Sequence, residues 1–197
     1  CGIKASGLDL ALIVATPPAR AAGIFTTNLA VAAPVVVTRE HLRRSKGTAA
    51  AIVVNSGCAN ACTGEQGLAA AHGMATDTAH LVGCSKEQVL VSSTGVIGAQ
   101  LDGEKLTQGI TQAAAALGRD GHQAAAEAIM TTDPWPKEAA VRATSPAGVF
   151  HVGGMAKGAG MIEPNMATML AFLTTDAAVE PVLLQRALAD AAADTFN

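Results

Sequence analysis

Short apolar runs broken by turn residues dominate the first third of the chain, and a period near two predicts strands over residues 8–15, 23–27, 34–38 and 49–55. Pro17-Pro18 is expected to end the first of these before the second begins, and Arg43-Arg44-Ser45-Lys46-Gly47 reads as a charged surface turn. The apolar spacing then lengthens. Leu68, Ala71, His72, Ala75 and Ala79 recur at helical intervals up to Gly83, behind a capping box formed by Thr63 and Gln66. A second helix is expected over 102–117 with Leu106, Ile110 and Leu117 on one face, and a short third over 122–130. Pro181 opens a fourth ahead of Leu184, Ala187, Leu188 and Ala191. Strands are expected between these at 88–92, 139–143, 149–153 and 169–174.

Strands and helices that share one chain without regular alternation point to an α+β layered fold in a single domain, since no repeat, linker or low-complexity stretch divides the 197 residues. Half the residues are hydrophobic and 15% are charged, which excludes a disordered or solvated module. Aromatic residues are scarce, so the core must fill through aliphatic side chains and close backbone approach. A formal charge of -3, with no basic stripe, argues against nucleic acid. Cys1, Cys58, Cys62 and Cys84 are read as reduced thiols; Cys58 and Cys62 lack the second ligand pair a zinc site needs, so no metal is expected. No apolar run is long enough to span a bilayer and no leader is visible, from which a cytoplasmic protein without membrane association is expected. Both ends read as cut, with residues missing on each side.

Three stretches are candidates for chemistry. In 91–98, Ser92, Ser93 and Thr94 precede Gly95, and a strand ending this way can set a backbone N–H beside a hydroxyl to hold an oxyanion; a polar strand end and turn is the plainer account. In 153–160, glycines surround Lys157. That loop fails the P-loop pattern, because Ala159 follows Gly158 and no Ser or Thr comes after, and it fails the dinucleotide fingerprint, because Glu163 stands where the last glycine should be. Lys157 is either a solvated cation or, held by glycines, a partner for a substrate carboxylate. In 163–172, Pro164 and Asn165 make a turn before Thr168 opens an apolar strand. Thr168 is then a simple strand starter, or a hydroxyl that attacks the carbonyl of Ala167, shifts the acyl chain from nitrogen to oxygen and, after hydrolysis, leaves a new α-amine. Such an amine, with a pKa near ~8, can take the proton of its own hydroxyl.

Taken together, Phe25-Thr26-Thr27-Asn28, Ala32-Ala33-Pro34-Val35, Asn55-Ser56-Gly57, Ala59-Asn60-Ala61-Cys62-Thr63-Gly64, Ser93-Thr94-Gly95-Val96-Ile97-Gly98, Ile129-Met130-Thr131-Thr132-Asp133, Gly154-Met155-Ala156-Lys157-Gly158 and Met166-Ala167-Thr168-Met169-Leu170 resemble the bacterial ornithine acetyltransferases. These are also called bifunctional glutamate N-acetyltransferases, of arginine biosynthesis. The motifs run in family order along nearly the whole chain. The resemblance implies that Ala167-Thr168 is the self-cleavage bond and Thr168 the nucleophile, with 1–167 as the α chain and 168–197 as the start of a β chain in the same domain. It implies that Thr94 and Gly95 form the oxyanion hole and that Thr131, Thr132, Lys157 and Thr168 contact substrate, Lys157 at the amino-acid carboxylate. The implied reaction moves acetyl from N-acetylornithine through acetyl-Thr168 to glutamate, with no cofactor; some members also take acetyl-CoA as donor. The implied fold is a layered α/β sandwich of the DmpA-like self-cleaving kind, with the protein's own β chain as partner in an α2β2 heterotetramer.

Cys58 departs from the family pattern, standing where a less reactive small or amide residue is expected. Two rival readings differ in testable ways: a self-cleaving aminopeptidase of the related fold would hydrolyse rather than transfer, and a non-catalytic domain would not split at all. His41, His72, His80, His122 and His151 form no triad with Thr168 and are expected to pack within helices or strands, and Trp135, between two prolines, is expected to anchor a surface loop.

Overall fold

A computed structural model describes residues 1–146, 148–160 and 169–196. Its elements are β1 (Leu10–Arg20), α1 (Ala33–Arg44), β2 (Thr48–Cys58), α2 (Gly64–Val82), β3 (Val89–Val96), α3 (Gly103–Ala115), α4 (His122–Ala128), β4 (Lys137–Ser145), β5 (Gly148–Lys157), β6 (Leu170–Thr175) and α5 (Pro181–Thr195). The expected α+β layering is what forms. Strands β1, β2 and β3 make one three-stranded sheet, antiparallel between β1 and β2 and parallel between β2 and β3. Strands β4, β5 and β6 make a second, wholly antiparallel one.

The central strand β2 is nearly continuous apolar sequence because both of its faces are covered. Ala51 and Val53, with Val89 and Val91 of β3, pack against Val37 of α1, Met74 and Ala75 of α2 and Ile110 of α3. Val54, with Ala11 of β1, faces the other way and meets Ala128, Ile129 and Phe172, with Met155 and Leu170 beside them. The order of layers is therefore helices, first sheet, then α4 and the inner face of the second sheet. The outer face of the second sheet carries Ala139, Val141, Ala143, Phe150, Val152, Gly154, Ala156, Ala171 and Leu173, which pair in register; Val141 and Leu173 are exposed there.

Several expectations change in the folded chain. Residues 34–38 are helix, not strand: Pro34 sits in the first turn of α1, where its missing N–H costs nothing, and Pro34, Val37, Thr38 and His41 form the buried face at helical spacing. Residues 23–27 join no strand. Pro17-Pro18 does not end β1; the pair falls in a register shift between Val14 and Ala19 on an edge strand, the position where a sheet tolerates proline. The Thr63 hydroxyl makes no cap bond to α2 and donates instead to Asn60 Oδ1 at 2.7 Å. Helix α3 stops at Ala115 and leaves Leu117 exposed. Among the histidines, His41 is buried with Nδ1 2.7 Å from the Val89 carbonyl and His72 lies beside it, while exposed His122 and His151 pair with Glu138 and Asp176 at 2.8 Å. His80 is simply exposed.

Candidate active site

Two of the three candidate stretches meet between the sheets. The hydroxyl-glycine stretch lies within the last part of β3, which runs past the expected end at residue 92 to Val96 alongside β2, with Ser56 opposite Thr94 and Gly57 opposite Gly95. A register irregularity at Gly57 and Cys58 bulges the pair. Gly95 adopts φ +133°, and a Cβ there would lie 2.6 Å from the Cys58 nitrogen, so only glycine allows the two backbones to close. Asn55 Nδ2 donates to the Cys58 carbonyl at 2.9 Å and ties the bulge down from the helix side. On the opposite side Ser56 Oγ donates to the Ala128 carbonyl at 2.5 Å and anchors the end of α4. Cys58 is buried, its thiol 3.2 Å from the Ala99 carbonyl.

The first part of the glycine-rich stretch is strand rather than loop, since Gly153 to Lys157 lie in β5; the chain leaves the strand at Gly158, at φ +146°. Lys157 occupies the inner face at the end of β5 and is 5% exposed. Its Nζ donates to Thr94 Oγ1 at 3.1 Å and to Thr131 Oγ1 at 2.6 Å, linking the first sheet, the second sheet and the segment after α4. Thr132, the neighbour of Thr131, is exposed and has no hydrogen bond to Lys157. An ammonium has three donors and two are used here, so among the described residues one N–H of Lys157 is left. Each hydroxyl accepts from the cation and keeps its own proton to give, which makes both of them polarised donors. One cation and two such hydroxyls are the groups that can receive an anion.

The surrounding charges act on Lys157 in opposite directions. Burial pushes its pKa below the ordinary lysine value and the Lys137 charge adds to that, whereas the Asp133 charge works against both. Asp133 itself is buried, which favours its neutral form, yet hydrogen bonds from Lys137, Gly158 and Thr131 outweigh this and hold its pKa below the usual carboxylate range. On the far side Lys4 Nζ donates to the Met130 carbonyl at 3.2 Å, just before Thr131. Asp133 closes the motif Ile129-Met130-Thr131-Thr132-Asp133, yet sequence alone assigns it no role; an acid two positions after Thr131 is the one signal that points to it.

The third candidate stretch, with the cleavage bond Ala167-Thr168 and the nucleophile Thr168, lies outside the described residues. Its flanks are described: Lys157 pairs with Leu170 in the β5–β6 register. Among the described residues no set of His, Cys, Asp and Glu gathers as a metal site, and no helix is long and apolar enough to cross a membrane.

With the geometry in hand, comparison with known proteins decides the family. A sequence model of the ArgJ family matches residues 1–197. The chain belongs to the ArgJ family. It is 51% identical to the arginine biosynthesis bifunctional protein ArgJ of Symbiobacterium thermophilum over 198 residues, covering 99% of this chain and 49% of the relative. It is 54% identical to the protein of the same name from Thermosynechococcus vestitus, covering all of this chain and 47% of the relative. The chain thus spans about half the length of the curated relatives it matches. Among solved structures, the bifunctional ArgJ protein of Bacillus halodurans superposes with a TM-score of 0.77 at 41% identity, covering 84% of this chain and 86% of that one. An ornithine acetyltransferase from Mycobacterium tuberculosis, crystallised with ornithine, superposes at 0.75 with 43% identity, covering 82% of this chain and 86% of that one. The layered fold is therefore the ArgJ fold, and the resemblance drawn from motifs alone was to the right family.

Proposed function

We propose that the intact protein cleaves itself between Ala167 and Thr168 and then carries acetyl from N-acetylornithine to glutamate on the Thr168 hydroxyl. The observation that carries this reading is the buried Lys157 ammonium, held by Thr94 and Thr131 and paired with no carboxylate within ion-pair distance among the described residues. A buried cation without a counter-ion is costly unless an anion arrives to pair with it, and the carboxylate of an amino acid suits one N–H beside two hydroxyl donors. Family membership and the ornithine found in the Mycobacterium tuberculosis relative support the same substrate class.

The chemistry would run in two stages. First, Thr168 Oγ attacks the Ala167 carbonyl carbon, the peptide C–N bond breaks as the acyl chain passes to oxygen and the hydroxyl proton to the freed Thr168 amine, and water then hydrolyses the ester to a carboxylate at Ala167 and the Thr168 hydroxyl. In turnover that amine takes the Thr168 hydroxyl proton as Oγ attacks the acetyl carbonyl of N-acetylornithine. The oxyanion of the tetrahedral species accepts from the Thr94 hydroxyl and the Gly95 N–H. Collapse returns the proton to the departing ornithine amine and leaves acetyl-Thr168. Glutamate, its carboxylate on Lys157, attacks that ester by its amine, N-acetylglutamate leaves and the Thr168 hydroxyl is restored. The reading includes partnership with the protein's own β chain in an α2β2 assembly, a cytoplasmic setting, and acetyl-CoA as an alternative donor.

Intact mass and acetyl transfer test it together. The wild type should appear as two pieces divided between Ala167 and Thr168 and should acetylate glutamate in preference to water. A protein that never divides sinks the self-cleavage, and hydrolysis that dominates at saturating glutamate assigns the site to an aminopeptidase instead.

A further inference from the structure

Asp133 is buried beside the cation yet has no part in the reaction described above. Its Oδ1 accepts from the Gly158 N–H at 2.7 Å and from Lys137 Nζ at 2.5 Å, and its Oδ2 accepts from the Thr131 N–H at 3.3 Å. These three donors come from the corner after β5, the start of β4 and the segment after α4. Two of them adjoin the groups that hold the ammonium: Gly158 follows Lys157, and Thr131 supplies the hydroxyl at 2.6 Å. Gly158 can aim its N–H at the carboxylate because its positive φ is open to glycine. Lys157 and Asp133 do not form an ion pair, and the short bond from Lys137 explains why. The carboxylate is already neutralised at close range, so it orders Lys157 without capturing it.

We infer that Asp133 is a positioning residue for the amino-acid carboxylate site: it fixes Thr131 and the Lys157-Gly158 corner, while Lys137 occupies its charge and keeps the Lys157 ammonium free for substrate. This rests on the reading of Lys157 as the carboxylate contact. A neutral amide in place of Asp133 keeps the volume but loses the charge and one acceptor, so Thr131 and Lys157 lose their registration. The charged groups that bear on Lys157 are Asp133 and Lys137, with Lys4 reaching the same segment through the Met130 carbonyl; Glu163 lies outside the described residues.

The test uses Asp133→Asn and Lys137→Met in the intact protein, with acetyl transfer to glutamate followed across pH and the Lys157 side chain titrated by NMR. In Asp133→Asn the KM for glutamate should rise about tenfold with kcat within about threefold, the loss expected when a charge-assisted contact is misplaced. The alkaline limb of kcat/KM should move to lower pH, because the charge that favours the ammonium is gone. Lys137→Met should move that limb to higher pH, because a repelling charge is gone and Asp133 is released towards Lys157. A purely structural role for Asp133 would not give shifts of opposite sign. Limbs that coincide with wild type, or move the same way in both variants, overturn the inference. Should Asp133→Asn fail to fold, Lys137→Met decides alone, and a limb that stays or falls counts against us. If the wild type transfers no acetyl, the parent reading fails, and the NMR titration of Lys157 in the two variants still decides this one by the same opposite signs.

Discussion

The two sheets meet at one site but are built differently. The first sheet is covered on both faces: Val53 and Val54, adjacent on β2 and pointing opposite ways, are both fully buried. Among the described residues the second is covered on its inner face alone, where Met155 and Phe172 pack, while Val141 on the outer face is 59% exposed. The first sheet supplies Thr94 and Gly95 on backbone that a glycine contact and the Asn55 bond lock in place; the second supplies Lys157 from the end of a strand whose neighbours carry less burial. On the proposed reading the Thr94 hydroxyl and Gly95 N–H hold an oxyanion and must not move, because electrostatic stabilisation depends on donors set beforehand. On the same reading Lys157 meets a carboxylate and tolerates a softer mount, since Coulomb attraction falls off slowly with distance.

The sharpest break in that comparison is at Thr168, the proposed nucleophile, which follows the second sheet's glycine corner in sequence. Thr168→Ala should leave the chain whole by intact mass and lower acetyl transfer by at least about 10⁴-fold, as loss of a nucleophile does. Next comes the first sheet's contribution: Thr94→Ala should slow both self-cleavage and turnover about 100-fold, measured as rates of splitting and of N-acetylglutamate formation, and unchanged rates would remove Thr94 from the site. Burial itself is weighed by Val53→Ala against Val141→Ala in chemical denaturation. The first should cost about 2 kcal/mol, two buried methyl groups and a small cavity, and the second less than about 0.5 kcal/mol; similar losses would mean that the outer face of the second sheet is as well covered as the first. The smallest effect lies at the exposed tie from α4 to β4. The hydrogen bond from His122 to Glu138, and then its charge, raise the His122 pKa, so the pair favours the folded state at acidic pH and that contribution fades as pH rises through the folded value. An NMR titration should therefore find the His122 pKa lower in Glu138→Gln than in wild type.

How far the fold was legible depended on which signal was weighed. Residues 35–38 are all β-branched, which makes 34–38 an expected strand, yet Pro34, Val37, Thr38 and His41 carry the helical interval and a proline suited to a first turn, and burial against the first sheet overrides β-propensity there. The glycines before Lys157 suggested a loop because isolated glycines weaken strands, but Gly154 sits opposite Leu173, where a Cβ would collide with that side chain. Residues 68–83, by contrast, carried enough regular spacing to read as a helix without help, although their cap did not form as expected. At the site, Thr94, Gly95, Thr131 and Lys157 were marked by motif, but nothing in their order along the chain shows that the first and last of these touch across 63 positions. Asp133 stood in the same motif as Thr131 without an assigned role, because its surroundings are made by partners that only the fold brings to it.

Sequence by itself determined the family, the alternation of apolar and polar positions that builds two sheets and a helical layer, and the glycines where only a missing Cβ lets backbones close. The tertiary structure decided that Lys157 reaches two hydroxyls from different layers, that Thr132 stays outside, and that a buried acid stands behind the cation without pairing with it. Local pattern is carried by neighbours along the chain. The charge and solvation of a side chain depend on which distant groups the packed layers bring within a few ångströms.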